Sequence, residues 1–293
     1  MRASHYKVDY HLICVLYFSE QVPSGLDISL VWGALRVLGN RSVDLSFFLR
    51  GDTEISTVEK STLGAPALNE VLVSKGDQLL SAAAASVRDD AANAILDSDV
   101  NFLFKRAGKW DGQTMPPILT LSVSADVIEQ VGMETIIGVL KRVFNVADRS
   151  SPICGLVDMA RPEDASAGMV YGSCWPRTAP LSRWIEHMGW LYSGANKGDR
   201  LRGLYWGNYV GPSILKRLGG QKGFVDLCAK RACNYDGTPN AHCWHLPNGV
   251  FVSLCMNPLD CRPGIPAGIH PAAEANLRWL VREMGTKGVL NHW

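Results

Sequence analysis

The sequence predicts an α+β fold, in which a mixed or antiparallel sheet packs against several helices. Short apolar segments, typical of buried strands, are interspersed with longer segments of helical periodicity. The dipeptide Asn248-Gly249 lies inside the apolar region 241–256 and is the preferred two-residue turn of a β-hairpin. With 293 residues, of which 47% are hydrophobic and 19% charged, the chain is able to bury a substantial core.

The first hundred residues contain strand and helix patterns in turn. Residues 11–18 (HLICVLYF) are short, apolar and partly β-branched, which predicts a buried strand, and residues 45–49 predict another. The segment 26–38 is apolar on nearly every side, so it predicts a helix that is buried all round. Apolar residues recur at helical spacing over 79–95, which predicts an amphipathic helix.

The middle of the chain predicts a strand, a capped helix and a second strand. Residues 118–123 alternate like a strand, and residues 153–159 follow Pro152 with a strand pattern. Between them, Asp126 and Glu129 resemble a capping box at the start of a helix that continues to residue 144. Residues 160–180 are rich in Pro, Gly and Ser and mark a candidate seam between two subdomains of similar size within a single domain, 1–293.

Residues 203–220, GLYWGNYVGPSILKRLGG, form the most distinctive segment of the second half. Three aromatic residues within five positions predict core packing with satisfied polar tips, or else an exposed binding hot spot. Gly211-Pro212 is suited to begin a short helix and Gly219-Gly220 to end it. Further helices are predicted over 223–233 and over 271–284.

Bulk charge and hydropathy argue against several classes of protein. The 29 Lys and Arg residues nearly balance the 28 Asp and Glu residues, so the basic excess typical of proteins that grip nucleic acid is lacking. No segment approaches the roughly 18–20 apolar residues that span a bilayer, and the N-terminus lacks the pattern of a secretory signal. Eight cysteines at scattered spacings suggest reduced thiols. We therefore expect a cytoplasmic protein with no membrane contact and no direct contact to nucleic acid.

A cluster of cysteines and histidines near the C-terminus is a candidate metal site. Its spacings, C-x4-C, H-C-x-H and C-x5-C, match zinc motifs poorly. A two-residue turn in the hairpin pairs His242 with Cys255 and so places both on one face, whereas Cys243 and His245 lie on the other. We therefore expect no metal, with a metal-binding enzyme as the alternative. The cluster comprises Cys228, Cys233, His242, Cys243, His245, Cys255 and Cys261.

Motifs for covalent or nucleotide chemistry are missing from the sequence. There is no Gly-x-Ser-x-Gly elbow, no Gly-x-Gly-x-x-Gly turn and no Gly-x-x-x-x-Gly-Lys-Ser/Thr loop. Cys174 has no recognisable partner signature for a cysteine nucleophile. We therefore expect no catalytic residues and no cofactor.

Four acidic residues lie within eleven positions and are the candidate partner-binding set: Asp89, Asp90, Asp97 and Asp99. One interpretation is the solvated face of a helix. The other is an acidic surface that docks onto a basic partner, because charge complementarity speeds and orients association.

The segment GLYWGNYVGPSILKRLGG resembles the aromatic-Gly-Pro-helix-LGG segment of a bacterial type VI secretion (T6SS) immunity family, which is associated with effectors that carry a VRR-type nuclease domain. The opening strand ending in Tyr17-Phe18 is similar to that of the family. So is the capped helix 126–144 followed by residues 151–156, although Ile153-Cys154 stands where the family pattern has Tyr-Ala.

The resemblance implies a cytoplasmic protein that is not an enzyme. It implies an immunity protein that binds its cognate nuclease effector one-to-one and occludes the DNA-binding or active site. The family supplies no catalytic residues and no shared motif for effector contact. Two alternatives stay open: a metal-binding enzyme of unassigned chemistry, and a structural or adaptor subunit of a secretion assembly.

Overall fold

The computed structural model describes most of both halves of the chain. The described residues are 11–19, 26–38, 46–50, 55–60, 79–84, 100–105, 108–110, 113–160, 200–201, 203–231, 243–258 and 271–290. The strands are β1 His11–Tyr17, β2 Ser46–Arg50, β3 Ile55–Lys60, β4 Leu79–Ala84, β5 Val100–Lys105, β6 Gly108–Trp110, β7 Gln113–Met115, β8 Ile118–Ser124, β9 Cys154–Ala160, β10 Gly207–Val210, β11 Cys243–His245 and β12 Val250–Ser253. The helices are α1 Ile28–Leu35, with a 3-10 turn Arg36–Leu38, α2 Ala125–Val131, α3 Met133–Asp148, α4 Pro212–Arg217, α5 Gly220–Arg231 and α6 Pro271–Thr286.

Ten of these strands form one antiparallel sheet, which confirms the α+β class. Their order is β11-β12-β10-β9-β1-β8-β5-β4-β2-β3, and β6 and β7 form a separate hairpin. Strand β1 lies between β8 and β9, and every residue from Leu12 to Tyr17 is buried. The uninterrupted apolar run of β1 follows from this position, because a central strand is covered on both faces.

The two faces of the sheet at the β11 end are covered by different helices. Phe144 of α3 stacks on Tyr209 of β10, with ring centroids 6.0 Å apart, and contacts Phe251 of β12 at 4.8 Å. We call this side the α3 face. Side chains alternate along a strand, so Cys243 lies on the opposite side, where Cys228 of α5 contacts it. We call that side the α5 face.

The prediction of one continuous helix over 127–144 is wrong, because this segment forms two helices. The backbone breaks at Gly132, whose φ is +81°, a conformation that favours glycine. The N-cap of α2 is Ser124, whose Oγ accepts a hydrogen bond from Val127 N at 3.3 Å. Asp126 instead lies in the first turn, where its charge is favoured by the helix dipole.

The short helix predicted within residues 203–220 is confirmed, whereas the strand β10 that precedes it was not predicted. Strand β10 leads through Gly211, the N-cap of α4, to Pro212 at the start of the helix. Gly219, with a φ of +97°, lies between α4 and α5, and Gly220, with a φ of +83°, is the first residue of α5. The aromatic residues of the segment are buried, which confirms core packing over an exposed hot spot.

The predicted helix over 79–95 is wrong where the structure describes it. Residues Leu79–Ala84 form β4, which pairs with β2 on one side and β5 on the other. Pairing on two sides overrides the helical propensity of an alanine-rich segment. Residues 85–95 lie outside the described residues, as do residues 161–180 of the candidate seam.

Helix α1 is only half buried, contrary to the all-round burial predicted for 26–38. Asp27 begins it, with Oδ1 accepting from Leu30 N at 3.3 Å. One side packs towards α3, whereas Leu30 and Val37 are 45% and 51% exposed. Among the described residues, no helix combines the length and the apolar character needed to cross a bilayer.

The β11–β12 hairpin forms as predicted, but its turn is centred one residue earlier, on Pro247-Asn248 instead of Asn248-Gly249. Trp244 pairs with Phe251, and a 3.1 Å bond from Leu246 N to Gly249 O closes the turn. The register therefore differs by two residues from the predicted one. A shift of two residues keeps every side chain on its predicted face.

Candidate functional site

The predicted partner-binding residues are not part of the described structure. Asp89, Asp90, Asp97 and Asp99 all lie outside the described residues. They remain a sequence-based prediction.

Only part of the candidate metal cluster lies within the described residues. Cys233, His242 and Cys261 lie outside the described residues. Cys228 and Cys243 contact each other, while the Cys255 thiol donates to Asn257 O at 3.2 Å. Within the described ranges, no group of three or more His, Cys, Asp or Glu side chains is placed to hold a metal ion.

A buried carboxylate fixes the tip of the β11–β12 hairpin to the sheet. Asp148, fully buried at the end of α3, accepts from the Tyr209 hydroxyl at 2.6 Å and from Asn248 N at 2.7 Å. The Asn248 side-chain amide also donates to the main-chain carbonyl oxygen of Asp148 at 2.8 Å. These bonds hold Asn248 in the second position of the displaced turn.

Tyr209 acts in this cluster as a neutral donor. Burial, followed by the hydrogen bond and the charge of Asp148, raises the pKa of Tyr209 far above its ordinary value. Its ring occupies space that Gly249 leaves open, since a Cβ at that position would overlap the ring. The arrangement holds a turn in place.

The surface presented by this anchored turn is the best candidate for a binding site in the described structure. We call residues 244–249 the hairpin tip. The Trp244 ring is partly buried and stacks on Phe251 at 4.3 Å, and the Lys141 ammonium lies 4.9 Å from its centroid. On the α5 face, Gln221 Nε2 donates to Leu246 O at 2.6 Å and to Gly249 O at 3.0 Å. The hairpin tip is therefore held from both sides of the sheet.

The charges beside the hairpin tip come from α5. Lys222 and Asp226 form an exposed ion pair at 2.7 Å, and Lys222, then Lys230 and His245, hold the pKa of Asp226 below its ordinary value. His245 of β11 is thus close enough to Asp226 for its charge to act on that carboxylate. Exposed ion pairs of this kind contribute little to stability.

A second polar group lies on the α5 face near the middle of the sheet. His11 Nδ1 and Ser122 Oγ are 2.9 Å apart. Ile13 of the central strand β1 pairs with Ser122 on one side and with Asp158 on the other, so Ser122 and Asp158 lie on the same face. Sequence spacing gave no sign of the His11–Ser122 pair, because the residues are 111 positions apart. Ser122 is buried in a strand paired on both sides, so the backbone N–H groups of this strand are taken up by the ladder.

No protein-family model matches the chain, and no curated protein matches it by sequence. Among solved structures, the fold is similar to that of the Pseudomonas aeruginosa T6SS protein PA0821. The TM-score is 0.59 at 15% sequence identity, and the match covers 94% of this chain and 73% of that one. At this identity, the similarity establishes a shared fold.

Proposed function

We propose that this chain is a T6SS immunity protein that binds a cognate nuclease effector one-to-one and keeps it from DNA. The observation that carries the proposal is the similarity of its fold, over 94% of its length, to a protein that is named as a T6SS protein. The segment 203–220 supports the same setting through its resemblance to an immunity family. The proposed place of action is the cytoplasm, where an effector meets the DNA.

An occluding inhibitor needs a surface that is ordered before its partner arrives, because ordering side chains during binding costs affinity. The hairpin tip fits this need. Asn248 is held by Asp148, the main chain at Leu246 and Gly249 is held by Gln221, and Trp244 is stacked on Phe251. Trp is also among the residues that contribute most to protein–protein binding.

The hairpin tip and the acidic residues Asp89, Asp90, Asp97 and Asp99 are two separate candidate contact regions. Protection against a nuclease calls for nanomolar binding or tighter, about −12 kcal/mol. Specific protein interfaces of standard size bury about 800 Å² on each partner. The acidic residues suit the basic surface with which a nuclease holds DNA, and they would act mainly on the association rate.

The proposal is tested by co-expressing the chain with the candidate effector encoded beside its gene. We expect growth to be rescued and the two proteins to co-purify at equal molar amounts. Rescue without a complex would contradict inhibition by binding and would favour a catalytic antidote. Stable association with several secretion components, without rescue, would favour an adaptor subunit.

Variants in each of the two proposed contact regions test that region separately. Reversing Asp89 and Asp90 to lysine should slow association at low salt, whereas Glu129→Lys on the exposed face of α2 serves as the charge control. Trp244→Ala should speed dissociation tenfold or more, because loss of a buried anchor costs about 2 kcal/mol. Unchanged kinetics in a variant of unchanged melting temperature would remove that region from the interface.

A further inference from the structure

Two free thiols from separate elements meet on the α5 face. Cys228 of α5 is fully buried, and Cys243 of the edge strand β11 is partly buried. Their side chains are in hydrogen-bond contact. Within the described residues, this contact joins a helix to a strand at the edge of the ten-stranded sheet.

The backbone path places the two cysteines opposite each other independently of that contact. Gln221 fixes the start of α5 to Leu246 at the end of β11. Cys228 lies seven residues beyond Gln221 on the same helix face, about 10.5 Å along the axis. Cys243 lies three residues before Leu246, about 10 Å along the strand. Because α5 also packs against β11, these equal distances agree with the meeting of the two thiols at the end away from Gln221.

We propose that Cys228 and Cys243 are a thiol–disulfide site that is oxidised by a low-molecular-weight disulfide such as oxidised glutathione. The Cys243 thiolate attacks one sulfur of the oxidant, forms a mixed disulfide and releases one glutathione thiolate, which takes up a proton. Cys228 then loses its proton and attacks the Cys243 sulfur, which releases the second glutathione. The protein loses two hydrogens and two electrons, and the oxidant becomes two thiols.

The order of the two steps follows from the surroundings of each sulfur. The hydrogen bond from Cys228 holds the pKa of Cys243 below its ordinary value, so Cys243 is the thiolate available for attack. The same hydrogen bond, and then burial, raise the pKa of Cys228. Cys243 is also the more exposed of the two, which lets it meet an oxidant from solution.

Oxidation would tie the edge strand β11 to α5 and so hold the hairpin tip in one position. The cross-link closes a short loop of chain and restricts the unfolded state. The oxidised protein is therefore expected to melt several degrees higher than the reduced protein.

The test uses the full chain, incubated folded with oxidised glutathione, blocked with iodoacetamide after denaturation and digested without reductant. We expect a peptide pair joined through Cys228 and Cys243 that dithiothreitol separates. Cys228→Ser should stop at a mixed disulfide between Cys243 and glutathione, and Cys243→Ser should abolish both products. Cys255→Ser, which keeps a donor towards Asn257, is the control that should leave the link unchanged.

Two results would overturn the proposal. One is full alkylation of both cysteines in wild-type protein after oxidation, with the circular dichroism of the folded state retained. The other is a link from Cys243 to a different cysteine. Because both readouts come from the wild-type chain, they do not depend on the folding of a variant.

Discussion

Replacing Asp158 with asparagine should make the protein more stable at neutral and alkaline pH. Asp158 lies in β9 on the α5 face and is 1% exposed. Its Oδ1 accepts from Met159 N at 2.9 Å, whereas Oδ2 has no hydrogen-bond partner among the described residues. Burial, offset in part by the Met159 hydrogen bond, raises the pKa of Asp158 from 3.8 to about 7.

The magnitude follows from the two pKa values. Below pH 3.8 the carboxyl is protonated in both the folded and the unfolded chain, so ionisation carries no penalty. Between 3.8 and about 7 only the unfolded chain ionises, so the folded state loses stability as the pH rises. At 1.36 kcal/mol per unit, the penalty is about 1.7 kcal/mol near pH 5 and about 4 kcal/mol near pH 8.

Urea unfolding of wild type and Asp158→Asn, followed by tryptophan fluorescence across this pH range, measures the effect. Asparagine does not titrate, so the difference in free energy of unfolding should shift by about 2.5 kcal/mol in favour of the variant between about pH 5 and pH 8. Glu129→Gln, on the exposed face of α2, is the matched control. A difference between wild type and Asp158→Asn that is constant with pH would refute the reasoning.

Three further predictions concern the anchored turn and its surroundings. Tyr209→Phe removes the donor to Asp148 and should lower the free energy of unfolding by about 1.5–3 kcal/mol; a loss below about 0.5 kcal/mol would contradict a bond to a charged acceptor. Gly249→Ala should cost about 1–3 kcal/mol in the same urea assay, because the new methyl group overlaps the Tyr209 ring, and an unchanged midpoint would refute that packing. Gly223→Ala is its matched opposite: no atom lies within 4 Å of the added methyl group in α5, so stability should rise by about 0.5–1 kcal/mol, and a loss would show that α5 packs differently.

Local sequence patterns correctly predicted those elements whose tertiary surroundings favour the same structure as the pattern. Strand β1, the helix that Pro212 begins and the C-terminal helix Pro271–Thr286 all lie where the pattern placed them. Each has a continuous apolar run, or a stripe bounded by glycine or proline. The sequence also predicted the helix end at Gly219 and Gly220, because a residue with positive φ is usually glycine.

The errors came where distant residues decide the outcome. Leu79–Ala84 has a helical pattern, yet it is a strand because β2 and β5 pair with it. The hairpin turn lies one residue earlier than predicted, where Asp148, 100 positions away, binds Asn248. Neither cause is visible in a short window of sequence.

The candidate site was predicted only in part for the same reason. The sequence marked the cysteines and the aromatic cluster by composition, and the predicted alternation placed Cys243 and Trp244 on opposite faces. It gave no sign that Cys228 would reach Cys243, because a helix face and a strand edge meet only through tertiary packing. The charged set at Asp89, Asp90, Asp97 and Asp99 stays a prediction.

Titration of the purified effector's nuclease activity against this protein tests the central proposal most directly. Neutralisation by binding predicts that DNA cleavage falls in proportion to the amount added and ends at one molar equivalent, with no recovery or further loss over time. Complete inactivation by a small fraction of an equivalent, progressing with incubation, would contradict the proposal, and so would cleavage that persists in excess protein.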